Sequence, residues 1–192
     1  MHPVWTKLVD AATIAERVQG AAARMRSDYG DDEVVLVGLL QGGLFFLSDL
    51  ARALGGAVRL VTLTAQSYRG LESSGRVELS GLGTVNIRDR HVVVVDDIYD
   101  SGRTLYAVAE ALCSLQPRSL AFACLLVKEA ERVNPVEVKY GLFPVADRFV
   151  VGYGLDLDGL GRNLDSIWAL EPGVSEQAAR EQLLAQLLGR GK

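Results

Sequence analysis

Val92-Val93-Val94-Val95-Asp96-Asp97-Ile98-Tyr99-Asp100-Ser101-Gly102-Arg103-Thr104-Leu105 joins an apolar run to an acidic, hydroxyl-rich turn and then to a helical pattern. Four consecutive valines read as a parallel strand covered on both faces, and Leu105 to Leu115 carry apolar residues at helical spacing. Ser101, Gly102, Arg103 and Thr104 are therefore expected on the first turn of that helix. There, unpaired N–H groups and the positive end of the helix dipole favour a phosphate. Gly102 carries no side chain to hold a phosphate off the backbone. A carboxylate repels phosphate, so Asp96, Asp97 and Asp100 suit sugar hydroxyls, a cation or a proton to be moved. A phosphorylated sugar satisfies both halves of the turn.

Outward from this stretch, strands and helices alternate, the signature of an α/β fold with a largely parallel sheet. Thr6 to Arg26 reads as an opening helix with Ile14, Val18, Ala22 and Met25 on one face. Val34 to Leu39 reads as a buried strand broken by Gln41-Gly42-Gly43, and Leu44 to Leu54 as a helix closed by Gly55-Gly56. Val58 to Thr64 is a strand. Ala65 to Asn86 turns polar and glycine-rich without periodicity, which leaves disorder or a working lid. Leu120 to Val127 and Phe149 to Gly152 are further strands, and Leu155 to Asn163 is a loop. Pro135 and Pro144 bracket a segment, Val136 to Phe143, whose direction the pattern leaves open. Ser175 to Leu188 is an amphipathic helix with Leu183, Leu184, Leu187 and Leu188 as its apolar stripe, packed on the body or on a neighbouring subunit.

A length of 192 residues suits one domain with a substantial core. Its 20 basic and 24 acidic residues give a net charge of -4, without the basic footprint of a nucleic-acid binder, so no nucleic-acid partner is expected. No apolar run approaches the roughly 18 residues needed to span a bilayer, and no secretory pattern opens the chain, so a cytoplasmic protein without membrane contact is expected. Cys113 and Cys124 sit in apolar patterns and read as small buried hydrophobes. His2 and His91 are too few for a histidine metal site.

The quoted stretch resembles the phosphoribosyl pyrophosphate signature of the type I phosphoribosyltransferases, with Asp100-Ser101-Gly102 in the form of the hypoxanthine-guanine branch. Other blocks of that family follow in its order. Leu40-Gln41-Gly42-Gly43 is similar to its pyrophosphate loop, Ser67-Tyr68 to its mobile flap, and Leu125-Leu126-Val127-Lys128 to its purine-contacting strand end. Phe149 to Asp156 and Arg162-Asn163-Leu164 resemble its base-stacking and pyrophosphate-contacting segment. Ordered blocks across roughly residues 5 to 170 are a far stronger signal than any one of them.

The resemblance implies a type I phosphoribosyltransferase fold over residues 1–170, with a small hood built from terminal segments, and a C-terminal helical extension over 171–192. It implies Mg²⁺-dependent purine salvage on phosphoribosyl pyrophosphate and a 6-oxopurine, by a homodimer or homotetramer. Ser101 to Thr104 would take the 5-phosphate, and Asp96 and Asp97 the ribose hydroxyls, whereas a solvated strand cap is the plain alternative for paired acids. Asp100 would handle the purine N7 proton, or else cap the helix. Lys128 would donate to the 6-oxygen, Phe149 stack on the purine and the Val150 backbone meet its edge; without the family, Lys128 is a solvated strand end. Gln41, Gly42, Gly43 and Arg162 would hold pyrophosphate, and Asp156 the metal.

Two positions depart from that pattern. Asp96 stands where relatives usually carry Glu, and Gln41 where they often carry Lys, so backbone N–H groups of Gln41 to Gly43 are left to form the anion nest, some relatives having a non-proline cis peptide there. A nucleotide-sensing RNA-binding regulator on the same fold would want a basic face, which the net charge opposes. Transfer to xanthine or a pyrimidine stays open. A P-loop NTPase is disfavoured by the missing Gly-Lys-Ser/Thr loop.

Overall fold

The computed structural model describes residues 4–67 and 77–189. The quoted valines lie in β5 (His91–Tyr99), the middle of a six-stranded sheet. In spatial order that sheet runs β4 (Val77–Ser80), β3 (Val58–Ser67), β2 (Val34–Leu40), β5, β6 (Ser119–Lys128) and β7 (Tyr140–Val145). All neighbouring pairs are parallel except β3 with β4. Val92 and Val94 pack with Leu105, Val108 and Leu112 of α3 (Arg103–Cys113). Val93 and Val95 face the other layer, which holds α1 (Ala11–Tyr29) and α2 (Leu44–Leu54). The unbroken valine run thus buries both faces, at about 1.5–3 kcal/mol per side chain removed from water. Pro144, which has no N–H to give a ladder, is accommodated because β7 is an edge strand.

A second sheet of three strands has the order β1 (Trp5–Val9), β9 (Ile167–Leu170), β8 (Val150–Val151), all antiparallel. It corrects the expected opening helix: residues 5–9 form a strand, and α1 starts at Ala11, where Asp10 accepts a hydrogen bond from Thr13 N at 2.8 Å. The helical face itself is as expected, with Ile14, Val18, Ala22 and Met25 buried. α4 (Glu176–Leu187), capped by Ser175, lays Ala179 and Leu183 against Trp5, Val151 and Leu157. Trp5 Nε1 donates to Ala179 O at 3.1 Å. The expected stripe on this helix is narrower than four leucines, since Leu188 is exposed.

Other expectations are also revised. The polar stretch from Ala65 is not without structure: β3 continues to Ser67, and β4 pairs back on it from Val77. Tyr68, half of the expected flap, lies outside the described residues. The open segment after Pro135 resolves into β7, parallel to β6, and the short strand shrinks to Val150–Val151. Cys113 is exposed, at the end of α3, while Cys124 is buried as expected.

Candidate active site

At the carboxyl ends of β2 and β5 the chain order reverses direction across the sheet, the crevice where open α/β sheets take ligands. A cavity of about 230 Å³ opens there. Gly42, Asp96, Asp97, Asp100, Ser101, Gly102 and Thr104 line it, together with Leu39, Leu40, Ala65, Ile98, Tyr99 and Leu105. Gln41, Gly43, Arg103, Lys128, Phe149, Val150, Asp156 and Arg162 stand outside that lining.

The turn differs in detail from the expectation. α3 begins at Arg103, so Ser101 precedes the helix and Gly102 is its N-cap, with φ of 85°. An L side chain is disfavoured there twice over. The conformation is left-handed, and a Cβ would come within 2.4 Å of the Asn134 carbonyl oxygen. No side chain caps the helix. Asp100 is therefore not a cap, and the N–H groups of the first turn keep the anion-binding character expected of them.

Asp96 and Asp97 do not form a solvated strand cap. Asp96 is buried, and its Oδ1 accepts from Asp97 N at 3.0 Å. Burial, reinforced by the neighbouring Asp97 charge, holds the Asp96 carboxyl well above the usual carboxylate range. Burial also raises Asp97, although hydrogen bonds and the Arg162 guanidinium work against it. Two acids held out of water beside an open cavity are in want of hydroxyl or cation partners.

The pyrophosphate-loop candidates are tied to this pair. The Leu40–Gln41 peptide is cis, Gln41 is exposed, and Gly42 packs on Asp97. Gly154 meets the same loop from the other side: a Cβ on it would fall 2.0 Å from Gly42 O. Arg162 donates to Gly154 O at 2.6 Å and pairs with Asp156 Oδ1 at 2.7 Å, while its buried Nε has no hydrogen-bond partner. Asp156 Oδ2 accepts from Gly159 N at 2.7 Å. Gly42, Asp97, Gly154, Arg162 and Asp156 thus make one connected cluster that reaches the cavity at Gly42 and Asp97.

Next to the lining residue Asp100, Lys128 ends β6 with its Nζ 3.1 Å from Asp100 Oδ2 and 2.7 Å from Asp147 Oδ1. Burial opposes its charge, but the two carboxylates outweigh it and raise the ammonium above its ordinary value. Lys128 is not a solvated strand end, since its side chain is 13% exposed. Val150 is buried, whereas its neighbour Phe149 is half-exposed, with its ring centroid 6.5 Å from that of Trp5. Of the expected flap, Ser67 is only the last residue of β3.

Two residues of this region carried no signal in the chain. Asp147 is an acid in a loop, ordinarily solvated. Tyr99 sits inside an apolar strand. Its hydroxyl donates to Val136 O at 3.0 Å and accepts from Val136 N at 2.8 Å, and Arg132 lies 4.2 Å over its ring. These contacts pin the loop that carries Asn134 against Gly102.

Residues 4–158 match the family model described as the phosphoribosyl transferase domain. The chain belongs to that family. It is 34% identical over 166 residues to the hypoxanthine-guanine phosphoribosyltransferase of Aquifex aeolicus, covering 85% of this chain and 93% of that one. The Staphylococcus aureus enzyme of the same name is 37% identical over 154 residues, 79% of this chain and 86% of its relative. Among solved structures, the Trypanosoma cruzi hypoxanthine phosphoribosyl transferase superposes with a TM-score of 0.82 at 33% identity, over 92% of this chain and 95% of that one. The expected type I phosphoribosyltransferase fold, a largely parallel sheet between helices, is the fold observed. Among the described residues no helix is long and apolar enough to cross a membrane.

Proposed function

We propose that the protein transfers the 5-phosphoribosyl group of phosphoribosyl pyrophosphate to hypoxanthine or guanine, releasing pyrophosphate and forming IMP or GMP. The observation that carries this reading is the convergence on one cavity of the Ser101–Thr104 turn and the buried Asp96–Asp97 pair, with Lys128 held beside it by Asp100. The names of the relatives point the same way.

Breaking the bond from the anomeric carbon to pyrophosphate places positive charge on the sugar, an oxocarbenium-like state as in glycoside chemistry. In this reading the α3 N-terminus holds the 5-phosphate through Ser101, Gly102, Arg103 and Thr104. Asp96 and Asp97 hold the ribose hydroxyls, and their charge faces the developing cation. Asp100 takes the purine N7 proton as the new bond forms. Lys128 donates to the 6-oxygen, which selects 6-oxopurines over adenine because adenine's amino group offers no comparable acceptor. Phe149 stacks on the base and the Val150 backbone meets its edge. Gln41, Gly42 and Gly43 offer backbone N–H groups to pyrophosphate, with Arg162 as the nearby cation.

Mg²⁺ fits the donors present. The Asp156 carboxylate accepts two contacts and has further lone pairs, and Mg²⁺ is satisfied by one or two carboxylates plus substrate phosphate oxygens. Bound there, the ion would neutralise charge on the leaving group. The three-stranded sheet serves as the hood of the 1–170 domain, with α4 of the 171–192 extension packed on it; the protein works in the cytoplasm as a homodimer or homotetramer. Purified protein with phosphoribosyl pyrophosphate and Mg²⁺, assayed against hypoxanthine, guanine, xanthine, adenine and uracil, tests the proposal. Nucleotide formed from hypoxanthine or guanine supports it, and turnover confined to another base overturns it.

A further inference from the structure

We propose that Asp147 is a positioning residue for base recognition, holding the Lys128 ammonium beside the cavity independently of the charge on Asp100. This rests on the reading of Lys128 given above and deepens it.

Sheet register brings the two residues together. Lys128 pairs with Val145 across β6 and β7, and Glu129 N donates to Val145 O at 2.9 Å, so the chain leaving β7 passes Lys128 within two residues. A tight turn, Arg148 N to Ala146 O at 2.8 Å, then leads into Phe149 and Val150. Asp147 therefore joins the lysine to the segment assigned to the purine ring. The Lys128 backbone is anchored separately, because Arg132 donates to its carbonyl. What Asp147 governs is where the side chain points.

An ammonium has three donors and no acceptor. Asp147 Oδ1 at 2.7 Å and Asp100 Oδ2 at 3.1 Å take two, leaving one for a carbonyl oxygen on the base. Asp100 cannot be the sole anchor, since its charge disappears when it takes a proton. Asp147 takes no part in that proton transfer. Without it, Lys128 would turn wholly onto Asp100, drawing the donor from the 6-oxygen and tying up the base. Asp147 is 72% exposed, so water competes for the contact and the effect is moderate.

The experiment combines Asp147→Asn, Asp147→Glu, Lys128→Ala and the double variant. Asp147→Asn should raise KM for hypoxanthine on the order of fivefold while leaving KM for phosphoribosyl pyrophosphate unchanged, and Asp147→Glu should restore most of the loss. In the Lys128→Ala background Asp147→Asn should add nothing. An equal rise in both KM values, or an undiminished effect without Lys128, overturns the assignment. Acylation of Lys128, followed by peptide mass spectrometry, reads the same contact without turnover. Asp147→Asn should speed it several-fold by removing the nearer counter-ion, and an unchanged rate overturns the assignment. A wild type that transfers to no base, yet shows the labelling difference, defeats the proposed function and leaves the Asp147–Lys128 coupling standing.

Discussion

Asp97 stands where Gly42 would begin a side chain: a Cβ on Gly42 would lie 1.9 Å from Asp97 Oδ2. The loop assigned to pyrophosphate and the acid assigned to ribose are thereby packed into one object. Any side chain at 42 must push the carboxylate away, a local overpacking worth about 1–3 kcal/mol. Gly42→Val is expected to weaken product inhibition by pyrophosphate roughly tenfold or more. Gln41→Ala, at an exposed position, should shift it by less than about twofold. The measurement is the pyrophosphate inhibition constant at fixed Mg²⁺; a large loss in Gln41→Ala beside a mild one in Gly42→Val would assign the anion to the glutamine side chain.

Asp100 lines the cavity, is half-exposed and pairs with Lys128 instead of capping α3. Asp100→Asn keeps an oxygen able to accept from the ammonium and should leave the thermal midpoint in place. Turnover should fall about 10²-fold or more, the usual contribution of a positioned proton acceptor. Unchanged kcat in a steady-state assay would take Asp100 out of the mechanism.

The features readable from the chain were those set by near neighbours in sequence. The valine run of β5, the amphipathic α1 and α2, the glycine break after Leu40 and the acidic turn each carry their own pattern, and the structure holds each of them, with α1 starting only at Ala11 and α3 only at Arg103. What escaped depends on distant partners. Trp5 to Val9 is a strand because Ile167 to Leu170 lies beside it, a pairing that no local window contains. β4 exists through β3 in the same way. Asp147 looks like any loop acid until β7 is laid against β6, and the Asn134 carbonyl that packs on Gly102 is equally invisible to a local window.

Lys128→Ala tests base selection. The side chain is nearly buried between two carboxylates, and its removal leaves the 6-oxygen without its donor. Use of hypoxanthine and guanine should weaken by about 1–3 kcal/mol in kcat/KM, with little change in KM for phosphoribosyl pyrophosphate. An equal loss for phosphoribosyl pyrophosphate would place Lys128 on the phosphates.

Asp96 sets function against stability. Its carboxyl is raised from an ordinary value of 3.8, first by burial and then by the Asp97 charge. A group with a raised folded-state value adds stability below its unfolded value and loses that contribution as pH climbs through the folded one. Above about pH 4, therefore, the folded free protein bears a growing cost for keeping Asp96 out of water. Asp96→Asn removes the ionisation while keeping the shape and an acceptor for Asp97 N, whose bond to Oδ1 measures 3.0 Å. The variant should melt at a higher temperature than wild type at pH 7, and the gap should close as pH falls towards the unfolded carboxyl value. Its turnover should drop, because an amide carries no charge to set against the developing cation on the sugar. Melting curves from pH 3 to 8 on both proteins decide the matter: a stability difference independent of pH would mean that Asp96 acts through packing and not through its charge.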